Sequence, residues 1–216
     1  MAKRRKVGNL LALAILAHLN PGLPMHPYEL ATVLRRTGKE RELNIKWGSL
    51  YTVVANLDKH GFIQATGSDR DGRRPERTSY TITEAGRQEL RDWLRELVAE
   101  PGEHTSPFIT ALSVVGVLHP DEVIALLRDR LAALTADIAQ EQRMLTEAGQ
   151  HVSRVFLVEL EYSLAMRRAE ADWVTGLLDE MTTDTLEGIE QWREFHRTGE
   201  IPPEYRELWE GAQPPQ

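Results

Sequence analysis

The sequence reads as mostly α-helical with one small β-wing: an N-terminal winged helix-turn-helix followed by a C-terminal α-helical domain. Three observations predict this. Residues 47–63 read as a short helix, a glycine stop at Gly61 and a strand, and residues 72–83 follow as an arginine-rich turn and a second strand. Helix, strand, basic loop, strand is the reading half of a winged helix and suggests contact with duplex DNA. Beyond Pro107, apolar residues recur at three/four spacing through two long segments. Charge divides in the same way. Residues 1–101 hold 17 Lys/Arg against 12 Asp/Glu, net +5, whereas residues 102–216 hold 9 against 21, net −12. A basic front half and an acidic back half suit a DNA-binding domain joined to a domain that does not touch DNA.

The elements follow in order. Leu10, Leu11, Leu13, Ile15, Leu16 and Leu19 make a first helix that is apolar nearly all round, the pattern of a buried helix. Asn20-Pro21-Gly22 ends it. A second helix begins near His26-Pro27, with proline in its first turn and Glu29 near the positive end of the dipole. Tyr28, Leu30, Ala31 and Leu34 give its apolar face, Gly38 stops it, and the charged stretch 39–44 is a loop. The third helix spans 47–60, with Leu50, Val53, Val54 and Leu57 inward. Residues 62–66 form a strand, 67–72 a turn and 79–82 a second, alternating strand. Thr83 caps a fourth helix running to about Ala99.

Pro101-Gly102-Glu103-His104-Thr105-Ser106-Pro107 is a linker by composition, so residues 1–100 form the winged helix-turn-helix and 108–198 the helical domain. That domain begins with a short helix through Val117. A long helix from His119-Pro120-Asp121 to Gly149 follows, in which Glu141 interrupts the apolar stripe. A second long helix spans 152–181 and a last one 184–197. Residues 199–216 carry four prolines and read as an irregular tail. No internal repeat is visible.

Composition narrows the function. There is no cysteine, which removes disulfides and thiolate metal sites together. No apolar run approaches the roughly 20 residues of a membrane span, and the apolar stretch after the basic start lacks a cleavage pattern, so a cytoplasmic protein is expected. The seven histidines are scattered with no close ligand pair, and neither a Gly-rich phosphate loop nor a Gly-x-Ser-x-Gly elbow is present. Neither a metal, a cofactor nor an enzymatic activity is expected.

A recognition helix enters the major groove with its N-terminal residues. Lys46, Ser49, Tyr51, Thr52 and Asn56 are the candidate DNA contacts there; Tyr51 can offer its ring to a thymine methyl and its hydroxyl to a phosphate or base. Arg73, Arg74 and Arg77 on the wing can reach phosphates or a minor groove. The Lys3-Arg4-Arg5-Lys6 arm can add phosphate contacts or serve as a solubilising tail. Leu127, Leu131, Leu134 and Ile138 on one long helix, with Leu157, Leu160 and Leu164 on the other, are the candidate dimerisation residues. The same stripes can instead pack on each other, and two long antiparallel helices would still leave a second face to bury. The rival to a DNA-binding regulator is a winged-helix protein-interaction module, whose acidic half would suit a basic partner.

Gly48-Ser49-Leu50-Tyr51, Leu57, Gly61-Phe62-Ile63 and the run from Arg73 to Gly86 closely resemble the PadR family of transcriptional regulators, as does His26-Pro27-Tyr28-Glu29-Leu30. The resemblance covers about residues 8–98 and is only architectural beyond. It implies a homodimer that binds a pseudo-palindromic operator in double-stranded DNA, usually as a repressor; release by a small molecule is common in the family. The family often has proline where Thr52 stands and leucine where Val54 stands, so contacts at Thr52 do not carry over directly. In the family layout Trp93 faces the domain junction, which makes it the first candidate for an effector pocket, ahead of Phe156 and Tyr162.

Overall fold

In the computed structural model the described residues are 5–36, 47–69, 77–102 and 106–200. The chain divides into two compact units, Met1–His104 and Thr105–Gln216. The first contains α1 (Leu10–Leu19), α2 (Pro27–Arg36), a 3-10 turn (Trp47–Ser49) entering α3 (Leu50–Lys59), β1 (Ile63–Asp69), β2 (Arg77–Ile82) and α4 (Glu84–Ala99). Together with the helical second unit, this is the mostly α architecture with a β-wing expected from the sequence.

Helix α1 starts where the Asn9 side chain accepts the Leu11 N–H at 2.9 Å. Its Leu11, Ala12, Ile15, Leu16 and Leu19 are buried, and it packs against α2, α3, α4 and β2. Leu30 and Leu34 from α2, Leu50, Val53 and Leu57 from α3, Ile63 and Ile82 from the strands, and Leu90 and Trp93 from α4 complete one cluster.

The two strands pair antiparallel, Ile63 opposite Ile82 and Asp69 opposite Arg77. Strand β1 runs past the 62–66 read from the sequence, into Gly67-Ser68-Asp69. The register slips between Ala65, opposite Tyr80, and Ser68, opposite Thr78. This bulge absorbs one extra residue, and pairing resumes through residues whose composition reads as a turn. Tyr80 also exchanges backbone hydrogen bonds with Met25 at 2.9 and 3.0 Å, which ties the wing to the segment entering α2.

The second unit contains α5 (Pro107–Ser113), a 3-10 turn (Val115–Val117), α6 (Pro120–Ala148), a 3-10 turn (Arg154–Phe156), α7 (Val158–Thr182) and α8 (Ile189–Thr198). Helix α6 is capped by His119, whose side chain accepts the Asp121 N–H, with Pro120 in its first turn. Helices α6 and α7 form an antiparallel hairpin. Arg130 meets Glu170 near one end, and Arg167 meets Asp137 and Glu141 further along. Glu141, which breaks the apolar stripe in the sequence, thus faces Arg167 at 2.8 Å and the Ser163 hydroxyl at 3.4 Å across the seam.

Helix boundaries in the second unit differ from the sequence reading at three places. Helix α5 ends at Ser113, ahead of a separate 3-10 turn, rather than running through Val117. Helix α8 begins at Ile189 rather than near residue 184, because Asp184 (φ +58°) and Gly188 (φ +85°) adopt left-handed backbone that no helix continues through. Helix α7 begins at Val158, after a tighter 3-10 turn that occupies the stretch expected as its first residues.

Gly86 shows why the wing and α4 need a residue without Cβ at this position. A Cβ there would stand 2.0 Å from the Phe62 carbonyl oxygen and 2.9 Å from Ile82 Cγ1. Gly86→Ala ordinarily gains about 1 kcal/mol in a helix. Here it should instead lower thermal stability, by roughly 1–3 kcal/mol through overpacking, measured by calorimetry of the purified chain; a raised melting temperature would refute the close approach.

Candidate nucleic-acid interface

The stop after α3 is set by three backbone groups. His60 N–H donates to the Asn56 carbonyl, Gly61 N–H to Asp58 at 2.8 Å and Phe62 N–H to Leu57 at 2.9 Å, with Gly61 at φ +72°. This is a Schellman ending, which needs left-handed backbone at the glycine and so places Gly61 where it is. It also aims the chain directly into β1. Thr83 then joins wing to helix. Its hydroxyl accepts the Gly86 N–H at 3.1 Å as the cap of α4 and donates to the Gly61 carbonyl at 2.6 Å.

With Leu50, Val53, Val54 and Leu57 buried, the opposite face of α3 is turned out. Tyr51 is 59 % exposed, and Thr52, Ala55, Asn56 and Lys59 are exposed beside it. Ser49 is half-buried at the helix start. Ala55 belongs to this face and the sequence reading omitted it; its spacing from Tyr51 and Lys59, four residues each way, was the available signal. A small residue there lets the helix backbone approach a partner.

Helix α2 adds residues that the sequence reading used only as helix signals. His26 caps it: its Nδ1 accepts the Tyr28 N–H at 3.1 Å, and Glu29 reaches back to the His26 N–H at 2.8 Å, a reciprocal capping arrangement. The motif His26-Pro27-Tyr28-Glu29 therefore starts a helix. Tyr28, 65 % exposed, shares an outer face with Thr32, Arg35 and Arg36. Lys46, Arg73 and Arg74 lie outside the described residues, and Arg77 is placed by its backbone alone, at the end of β2 opposite Asp69.

Arg5 turns inward, and neither role read for the basic arm applies to it. Its guanidinium donates to Glu89 at 2.6 Å and Glu96 at 2.5 Å, lies 5.1 Å from the centre of the Trp93 ring, and leaves its side chain 5 % exposed. Burial disfavours its charge, but the hydrogen bonds and charges of the two glutamates outweigh this and hold its pKa above the ordinary arginine value. Glu89, Trp93 and Glu96 stand one turn apart on α4, so one cation closes over three successive ridges of the helix.

Trp93 is 4 % exposed and belongs to the hydrophobic cluster of the first unit. In the second unit Phe156 (77 %) and Tyr162 (62 %) are exposed. Of the candidate dimerisation residues, Leu127, Leu134, Leu157 and Leu164 are buried, while Leu131, Ile138 and Leu160 are half-buried. Leu127 sits in one hydrophobic cluster with Val174 and Leu178 of α7, and Leu131 packs against that cluster. Helix α7 carries a second apolar stripe on its other side: Val158, Tyr162, Met166 and Trp173 are all exposed, the first three at four-residue spacing. Among the described residues no group of three or more His, Asp or Glu is placed to hold a metal ion, and no helix is long and apolar enough to cross a membrane.

Four helices and a two-stranded wing, with one helix face turned outward, give the first unit the winged helix-turn-helix arrangement. Residues 15–92 match the model of the transcriptional regulator PadR-like family, the family that the motifs in this stretch resemble. Bacillus subtilis PadR, solved in complex with operator DNA, is similar in fold with a TM-score of 0.65, 21 % identity, and coverage of 80 % of this chain and 99 % of that one. The same protein solved with p-coumaric acid gives 0.61 at 20 % identity over 84 % and 99 %. The Vibrio cholerae virulence activator AphA gives 0.57 at 17 % identity over 80 % and 98 %. No curated protein matches the chain.

Replacing Arg5 by Met keeps the stem but strands two largely buried carboxylates. Arg5→Met should destabilise the protein by about 1.5–3 kcal/mol, the range for hydrogen bonds to charged groups, measured by urea unfolding; an unchanged midpoint would show that the clamp contributes nothing to stability.

Proposed function

We propose that the protein is a homodimeric, sequence-specific DNA-binding transcriptional regulator, a repressor that a small molecule releases from its operator. The observation that carries this is the exposed face of α3, with Tyr51, Thr52, Ala55, Asn56 and Lys59 on the outward side of a helix whose other side is wholly buried. Such a face fits the major groove, with base edges read near the helix start and phosphates met by the flanking cations. Ser49 stands at its entry, and Lys46, Arg73, Arg74 and Arg77 are the cations that this reading assigns to DNA from the sequence. Tyr28, Arg35 and Arg36 on α2 add phosphate contacts in this reading. The likeness to a PadR solved with operator DNA and with p-coumaric acid supports both the DNA and the small-molecule part.

In this reading of the dimer, the candidate residues from Leu127 to Leu164 are assigned to the α6–α7 scaffold, in whose cluster Leu127 and Leu131 pack. The copy-to-copy contact falls on the outward stripe of Val158, Tyr162 and Met166, continued by Val155 and Phe156. Two half-sites then lie roughly 34–36 Å apart, or a multiple of this, on the duplex.

Fluorescence anisotropy against duplexes tiled across the upstream region of the coding sequence, at two salt concentrations, tests the reading. Saturable, sequence-selective, salt-sensitive binding is expected, followed by loss of that binding when the right small molecule is added. Binding that ignores sequence would favour a protein-interaction module instead. Tyr51→Ala should weaken operator binding and flatten its discrimination against scrambled DNA; unaltered discrimination removes Tyr51 as a reader. Gln in place of Arg73 and Arg77 should reduce the salt slope by about 0.9 for each phosphate no longer neutralised. The pair Tyr162→Glu and Met166→Glu should yield a folded monomer by light scattering, and a persistent dimer would move the contact elsewhere.

A further inference from the structure

The second unit has an apolar groove at one end. It is lined by Phe108, Val114, Val117, Leu118 and Leu126 among others, and encloses about 480 Å³. Val114 (61 %), Val117 (79 %) and Leu126 (50 %) expose much of their surface along it. Among the described residues its one charged lining group, Arg130, is already held by Glu170 and lies flat on Phe108, 3.6 Å from the ring centre. The groove therefore offers a partner apolar surface and no free charge, which selects an apolar occupant over a polar one.

The described chain ends beside that groove. The last turns of α8 are hydrogen-bonded to its wall: Trp192 Nε1 donates to the Leu118 carbonyl at 3.0 Å, and His196 Nε2 lies 3.0 Å from the Gly116 carbonyl. Helix α8 closes at Gly199 (φ +73°), and Glu200 N–H bonds the Thr198 hydroxyl at 3.1 Å. The next residues begin Ile201-Pro202-Pro203-Glu204-Tyr205-Arg206-Glu207-Leu208-Trp209. Ile201, Tyr205, Leu208 and Trp209 fall at the i, i+4, i+7, i+8 spacing by which an amphipathic segment anchors in an apolar groove.

We propose that the segment beginning at Ile201 is the occupant of this groove in its own chain, with Leu208 and Trp209 against Val117 and Leu126. Tethering favours this assignment. A segment leaving the groove wall through a short connection is present at an effective concentration on the order of millimolar, so modest burial suffices to seat it. Seating would cover Val114 and Val117 and brace α8 against α6. It goes beyond the regulator reading and does not depend on DNA binding.

The absence of cysteine allows a direct test in the full chain. Val117→Cys with Leu208→Cys, treated with a short bis-maleimide, should cross-link within one chain, identified by mass spectrometry of the tryptic peptides. The comparison pair is Gln150→Cys with Leu208→Cys, with position 150 just past the far end of α6, about 40 Å away along a helix of that length. The near pair should link about tenfold more efficiently, as expected from local concentration. Equal yields for the two pairs, or links formed only between two chains, would overturn the assignment. As an independent measurement, Leu208→Ala with Trp209→Ala should raise the binding of an apolar fluorescent dye several-fold. Val117→Asp in the same background should reverse the rise. Dye binding unchanged by the tail substitutions would also refute the proposal.

Discussion

The burial of α1 is the constraint on which the first unit depends. Five of its ten residues, Leu11, Ala12, Ile15, Leu16 and Leu19, are buried while Leu10 stays 48 % exposed, so one broad apolar face has to be covered. α2, α3, α4 and β2 all take their positions by covering it. Loss of one fully buried leucine or isoleucine there would cost about 2–5 kcal/mol. More to the point for function, α3 can present Tyr51 and Asn56 outward only because Leu50, Val53, Val54 and Leu57 are drawn inward. The outward face is the complement of the core.

The joints around that core use little side-chain chemistry. Gly61 supplies left-handed backbone, Gly86 permits a carbonyl to pass against a helix, and the Thr83 hydroxyl bonds both sides of the junction. Arg5 draws the entry to α1 onto α4 by a different means, since its cation is buried between two glutamates and an indole. A basic residue in a positively charged N-terminal run suggests a phosphate contact, but here its charge is spent within the protein. In the second unit the polar pairs across the α6–α7 hairpin, above all Glu141 with Arg167, set the register of a seam that leucines alone would leave free to slide.

Much of this was legible in the sequence. Helices α1 to α4 and the two strands were read from periodicity and stop residues, and the PadR-like motifs named the domain later matched over residues 15–92. The misread boundaries have physical causes. The β1 bulge hides a strand inside turn-like composition, and left-handed backbone at Asp184 delays α8. Ala55 drew no notice because alanine carries no chemistry of its own; only its place between Tyr51 and Lys59 gives it a role.

Sequence by itself determined which segments are helical, which stripes are apolar and where the cations cluster, because these follow from local spacing and short-range preference. Tertiary structure decided what each stripe packs against. Helix α7 bears two apolar stripes at the same helical period, and nothing local distinguishes the one bound to α6 from the one left exposed at Tyr162 and Met166. The same holds for Arg5 and Trp93, whose partnership spans most of the first unit's sequence. Long-range packing and ion pairing are properties of the assembled core, and only there do Glu89 and Glu96 come within reach of the arm.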